Sequence, residues 1–199
     1  SWTSTLNVVQ TTETISSTEY THIVATFAAD ETGVIYINGV ESASGALGAE
    51  QTNNNKLRAS GQWFSFNTGS DSLFSGEIDE ISVYNWCLAE YDIYRLYYYS
   101  DIKYPFYTNL ILGKNPIAYW KFNEASGNFA DATGNGHTLQ RSSATAIGFH
   151  RAPLTLPETG DEYSARNQGA GGHLQEHWTP SQLLAVSYTH LRAHATPEH

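Results

Sequence analysis

Three carboxylates, Glu77, Asp79 and Glu80, fall within four positions of an apolar, aromatic-rich run, SGEIDEISVYNWCLAEYDIYRLY (75–97). Acids this close have three readings: a catalytic set, oxygen ligands for a hard cation, or acceptors that tie down backbone at a strand edge. On an alternating strand, Ile78, Glu80, Ser82 and Tyr84 share one face, and Glu77, Asp79, Ile81 and Val83 the other. A second oxygen-rich stretch, DATGNG (131–136), offers Asp131 and Asn135 to Ca2+ from a flexible loop. The alternative is that these Asx residues only shape a Gly-rich turn. His173 and His177 stand at a metal-ligand spacing for a helix, but Gly169, Gly171 and Gly172 argue against a stable helix there. The sequence has no Gly-x-Ser-x-Gly elbow, no His-Glu-x-x-His and no Gly-Lys-Ser/Thr phosphate loop, and Cys87 has no nearby histidine.

The elements that must position these residues are short strands. HIVATF (22–27) and GVIYINGVE (33–41) alternate with period two, and Asn38-Gly39 is the dipeptide that accepts positive φ in a tight hairpin turn. WFSF (63–66) and LFSGEIDEISVYN (73–85) read as further strands, with Asn53, Asn54 and Asn55 marking a turn before them. CLAEYDIYRLYY reads as one helix with Leu88, Ile93, Leu96 and Tyr97 on a shared face, Arg95 near its C-terminal end, and a weak start at Ala89. The run from Tyr98 to Pro116 reads as an irregular connector. Nine tyrosines between Tyr84 and Tyr119 offer a stacking surface for sugars or bases, or else cover the sandwich edge and the joint that follows. Ile117–Phe122 is a new apolar strand followed by a Gly/Asn/Asp loop.

Composition narrows the function classes. With 40% hydrophobic and 13% aromatic residues in 199, the chain can build a real core. A net charge of −10 argues against nucleic acid and anionic membrane as partners. The acidity is uneven: residues 1–140 hold six Lys/Arg against fifteen Asp/Glu, and 141–199 four against five. Cys87 is the single cysteine, so no internal disulfide forms, and its apolar neighbours suggest a small core filler. No apolar run reaches the length of a membrane helix, so membrane insertion is not expected. The chain opens at Ser1 and contains no methionine, as an internal fragment of a longer protein would.

YTHIVATFAADETGVIYINGVE (20–41), followed by FSGEIDEISVYNWCLAEYDIYRLY (74–97), resembles the second half of a laminin-G-like module of the concanavalin A-like lectin/glucanase superfamily. Tyr20 stands where those modules usually carry Trp, and Ala89 where a helix-start Ser is usual. AYWKFNEASGNFADATGNG (118–136) is similar to the opening of another such module, with Trp120, Glu124, Gly127, Asp131 and Gly134 on its pattern. The resemblance implies an all-β fold, an incomplete concanavalin A-like jelly-roll β-sandwich with one short helix and an irregular tail. It divides the chain into the back of one module (1–100), a linker (101–116), the opening of the next (117–140) and a tail (141–199). Asn38, Gly39, Gly76, Asp79, Glu80, Trp120 and Glu124 fall on its structural motif positions. VSYTHLRAH (186–194) resembles one reading frame of a transposase-end adapter used in sequencing libraries, so residues 186–199 are expected to be artefactual and 141–199 to lack a continuous core. LPETG (156–160) matches a sortase signal without the apolar segment and basic tail that signal requires.

The resemblance also sharpens the question of the acids. Retaining glucanases of the superfamily carry Glu-x-Asp-x-Glu, or a bulged variant, on one strand. Here Ile81 occupies the third acid's position and Ser82 the bulged one, which leaves the set incomplete. The implied function is a non-catalytic binding or adhesion module, extracellular, on a cell surface or on a virion tail, taking a glycan or an extracellular protein, with calcium as a candidate cofactor. An architectural spacer and the remnant of a glycoside hydrolase are the alternatives.

Overall fold

The computed structural model describes residues 8–16, 18–48, 56–59, 75–100, 106–141, 145–149, 163–168, 174–177 and 185–193. WFSF, Asn53–Asn55, LPETG and His173 lie outside them. Strand β1 (Thr21–Phe27) pairs antiparallel with β2 (Thr32–Ile37), and β2 with β3 (Val40–Ala46). His22, Val24 and Thr26 are buried while Ala25 between them is exposed, the period of a strand with one covered face. The β2–β3 turn carries φ of 50° at Asn38 and 78° at Gly39, the left-handed pair that a two-residue hairpin demands. Asn38 also accepts the His22 N–H on its Oδ1 at 3.0 Å, which pins the turn to β1.

The strand expected over 73–85 is two strands, β5 (Ser75–Ile78) and β6 (Ile81–Tyr84). Asp79 and Glu80 leave the ladder between them, Glu80 with φ 53°. Two residues outside the pleat reset the alternation. Ile78 therefore joins Ile81 and Val83 in one core cluster, with Trp120 and Phe122, instead of facing away from them. Tyr84 belongs to a second cluster with Val24, Leu88, Ile93, Leu96 and Tyr119.

Helix α1 (Glu90–Tyr98) starts at Ala89 without a side-chain cap, and Ile93 and Leu96 are fully buried. Tyr97, expected on that buried face, is 37% exposed, and Cys87 is exposed instead of filling the core. Leu88, one residue on, is the side chain that turns inward. The connector is not irregular throughout, because Phe106–Leu112 form a helix, α2. Tyr107 and Ile111, four apart, bury one face of it, and Asn115 with φ 52° follows its end.

Strand β7 (Ala118–Trp120) lies antiparallel to β6, with Trp120 opposite Ile81, Tyr119 opposite Ser82 and Ala118 opposite Val83. Trp120 is fully buried and donates from Nε1 to the His137 carbonyl at 2.5 Å. The opening strand of the second motif thus completes the sheet edge of the first.

Strands appear within 141–199, where the sequence shows no period. The described parts of that stretch continue from β8 (Gln140–Arg141) into β9 (Thr145–Phe149), β10 (Tyr163–Gln168), β11 (Leu174–His177) and β12 (Ala185–Ala193). One sheet runs β3-β2-β1-β12-β5-β10-β9, with β6 pairing both β12 and β7, and β11 joins β8 to β4 (Lys56–Ala59). β12 sits between β1 on one edge and β5 with β6 on the other, so it satisfies backbone groups on both neighbours. Its run AVSYTHLRA is rich in residues that favour strands, a preference realised only once two partners flank it. His177 is in extended β11, so no helical i, i+4 histidine pair arises. The architecture is an incomplete all-β sandwich of antiparallel sheets with two short helices among the described residues.

Two predictions follow from this packing. Trp120→Ala should lower stability by about 3–5 kcal/mol in urea unfolding, as emptying a buried aromatic site does; an unchanged midpoint would show that β7 is not part of the core. Tyr84 is fully buried, and burial pushes its hydroxyl up to about 12, with the Ser82 hydroxyl drawing it back in part and the Asp92 charge adding to the rise. The folded state then holds a proton that the unfolded chain releases near pH 10. Stability from this group is complete below that pH and falls by roughly 1.4 kcal/mol per unit up to about pH 12. Unfolding midpoints measured from pH 9 to 12 should fall less steeply in Tyr84→Phe.

Candidate functional site

The acids converge on the break between β5 and β6, and each is taken up by the protein itself. Glu77 is fully buried at 0% exposure, and its Oε2 accepts the Tyr20 hydroxyl at 3.1 Å. The residue that replaces the usual Trp therefore supplies a donor to a carboxylate that would be costly to bury alone. Asp79 is buried, and its Oδ1 accepts the backbone N–H of Glu80 at 3.0 Å, which stabilises the turn out of the ladder. The left-handed backbone at Glu80 delivers its Oε2 to the hydroxyl of Tyr119 on β7. Burial first, and then the charge of Glu80, hold the Tyr119 hydroxyl well above its usual range, so it stays protonated as the donor of this pair. Gly76, one residue before Glu77, lies opposite Ala193 of β12 and Asn167 of β10, paired on both edges.

This arrangement does not make a hydrolytic pair. A nucleophile and an acid/base must both touch one glycosidic bond. Glu77 has no exposed surface, and Ile81 and Ser82, where a third acid would stand, are buried as well.

The Asp131 loop is likewise closed on itself. Asp131 Oδ1 accepts the Tyr119 N–H at 3.1 Å, the Thr133 N–H at 3.0 Å and the Thr133 hydroxyl at 2.7 Å, and its Oδ2 accepts the His137 N–H at 3.2 Å. Asn135 donates from Nδ2 to the Ile117 carbonyl at 3.0 Å. The Asp131 carboxylate thus accepts from four donors, and no group of three or more metal-ligating side chains occurs among the described residues. Glu124 works in the same loop, its Oε1 accepting the Ala130 N–H at 2.8 Å.

Sequence reasoning missed the two tyrosine–glutamate pairs. The signal was present in the buried-strand pattern around acids, but their donors, Tyr20 and Tyr119, are 57 and 39 residues away. The tyrosines divide by burial. Tyr84, Tyr107 and Tyr119 are core residues, while Tyr91, Tyr94 and Tyr98 stand 69%, 48% and 57% exposed on the outer face of α1.

No curated protein and no solved structure matches the chain. A family match covers the strands that carry the Glu77–Glu80 break and the first half of α1. Residues 1–94 match the model of the Laminin_G_3 family of the Concanavalin A-like lectin/glucanases superfamily.

Proposed function

We propose that the chain is a non-catalytic, lectin-like binding module of an extracellular, cell-surface or virion tail protein, taking a glycan or a protein ligand. The observation that carries this reading is the burial of Glu77 under the Tyr20 hydroxyl, together with the Glu80–Tyr119 pair. Carboxylates spent on holding strands together are not available to protonate a leaving group or attack an anomeric carbon. What the family fold then offers is surface. The acidic balance of the chain supports a ligand that is not polyanionic, and no described helix is long and apolar enough to cross a membrane. We leave calcium out of the proposal because Asp131 accepts three backbone N–H groups and the Thr133 hydroxyl.

Incubation with β-glucans, xylan and mannan should release no reducing sugar. Hydrolysis that disappears in Glu77→Gln would replace this reading with a glycosidase. Calcium chloride or a chelator should leave the thermal midpoint unchanged, whereas Asp131→Ala should cost about 1–2 kcal/mol with or without the ion, the effect of stripping a half-buried acceptor from its donors. A calcium-induced rise in midpoint that Asp131→Ala abolishes would reinstate the metal.

A further inference from the structure

We infer that the outer face of α1 is a stacking platform for a neutral saccharide chain, with Tyr94 and Tyr98 as its two rings. The inference rests on the binding-module reading and locates where that module holds its ligand. Tyr94 and Tyr98 lie four residues apart on the helix, with ring centroids 6.0 Å apart and planes only 26° from parallel. The two side chains stack on each other and stand 48% and 57% exposed. Tyr98 is buttressed edge-on by Tyr99 at 5.0 Å, and Tyr99 in turn by Phe106 at 5.2 Å. The Arg95 guanidinium is held between the rings of Tyr91 and Tyr99, 5.7 and 6.0 Å from their centroids.

The support beneath is rigid. Ile93 and Leu96 anchor the helix with no exposed surface, and the Lys114 ammonium pairs with Asp92 at 2.5 Å, which ties α1 to the segment after α2. On the other side the hairpin turn approaches so closely that a Cβ on Gly39 would lie 3.0 Å from the Tyr97 ring and 3.3 Å from the Tyr94 Cα. Rings on a fixed helix lose little freedom on binding, which is what a weak stacking ligand needs.

The chemistry of the face selects the occupant. A protein partner calls for a contiguous apolar patch with a desolvated centre, but the exposed tyrosines of α1 alternate with Glu90, Asp92 and Arg95 and include no outward aliphatic side chain. A nucleic acid also stacks on tyrosine, yet it needs cations along its backbone, and the chain carries a net charge of −10. A neutral sugar presents a flat C–H face to a ring and hydroxyls at its rim, where the tyrosine hydroxyls and the interleaved charged groups can meet them.

The test uses the full chain with cello-, laminari-, manno- and chitohexaose as probes, alongside a proline-rich decapeptide, read by titration calorimetry. At least one hexasaccharide should bind. Tyr94→Ala and Tyr98→Ala should each weaken that binding by about tenfold or more, while Tyr94→Phe and Tyr98→Phe, which keep the rings, should hold it near the wild-type value. Both positions tested carry exposed side chains, so unchanged thermal midpoints confirm that the four variants are folded. Saccharide binding that survives both alanine variants overturns the platform and leaves the binding-module reading standing. Tyrosine-dependent binding of the decapeptide alone makes the face a peptide site and overturns the saccharide. Failure of every hexasaccharide to bind overturns both the platform and the glycan side of the proposed function.

Discussion

Ile81 to Tyr84 are four consecutive buried residues, and a strand with both faces covered cannot leave either backbone edge to water. β12 takes one edge of β6 and β7 takes the other. The requirement then passes to β7, whose far edge must also be closed. It is closed by a loop in place of a strand: Tyr119 donates its N–H to the Asp131 carboxylate and accepts the Ala132 N–H at 2.7 Å on its carbonyl. The same Asp131 shapes its own loop through Thr133 and His137. A side chain thus ends the sheet on that side, and no open edge is handed on to another chain.

The break at Asp79–Glu80 follows from the same constraint. Continuous pleating from Ser75 to Tyr84 would set Ile78 and Ile81 on opposite faces, and only one of the two could reach the cluster around Trp120. Removing two residues from the ladder brings both into it. The carboxylates that result are buried, and they are tolerated because donors arrive from distant segments, Tyr20 ahead of β1 and Tyr119 on β7. Replacing such pairs with apolar groups is often neutral for stability, so their role is better described as specifying which segments meet. Glu80 and Tyr119 fix the relation of β7 to the break, and Glu77 and Tyr20 do so for the segment entering β1.

Legibility in the sequence tracked how local each cause was. Asn38-Gly39 announces its turn because the positive φ is a property of those two residues alone. Ile117–Phe122 was legible as an apolar strand, and its return to β6 has a physical reason, since a sandwich edge left open has to be covered by whatever apolar strand the chain next provides. The break in 73–85 was not legible, because alternation gives no sign of a bulge whose cause is the Asp79 carboxylate capping the next N–H. The strand character of 185–193 was hidden for a similar reason: its preference depends on β1, more than 150 positions earlier, and on β5 and β6. Helix α2 is seven residues long, too short to form on propensity, and it owes its existence to the burial of Tyr107 and Ile111.

The division among the tyrosines has one physical origin. A helix laid on a sandwich buries only the stripe that meets it, here Ile93 and Leu96. Residues at 91, 94 and 98 lie on the opposite stripe, and aromatic side chains there gain nothing from the core. Their rings contact one another and Arg95 instead. Folding alone would be served as well by Lys, Glu or Gln at those positions, which are better helix formers than Tyr. The aromatic identity of that face is therefore a feature that stability does not require, set on a helix that the Gly39 turn and the Asp92–Lys114 pair hold in place.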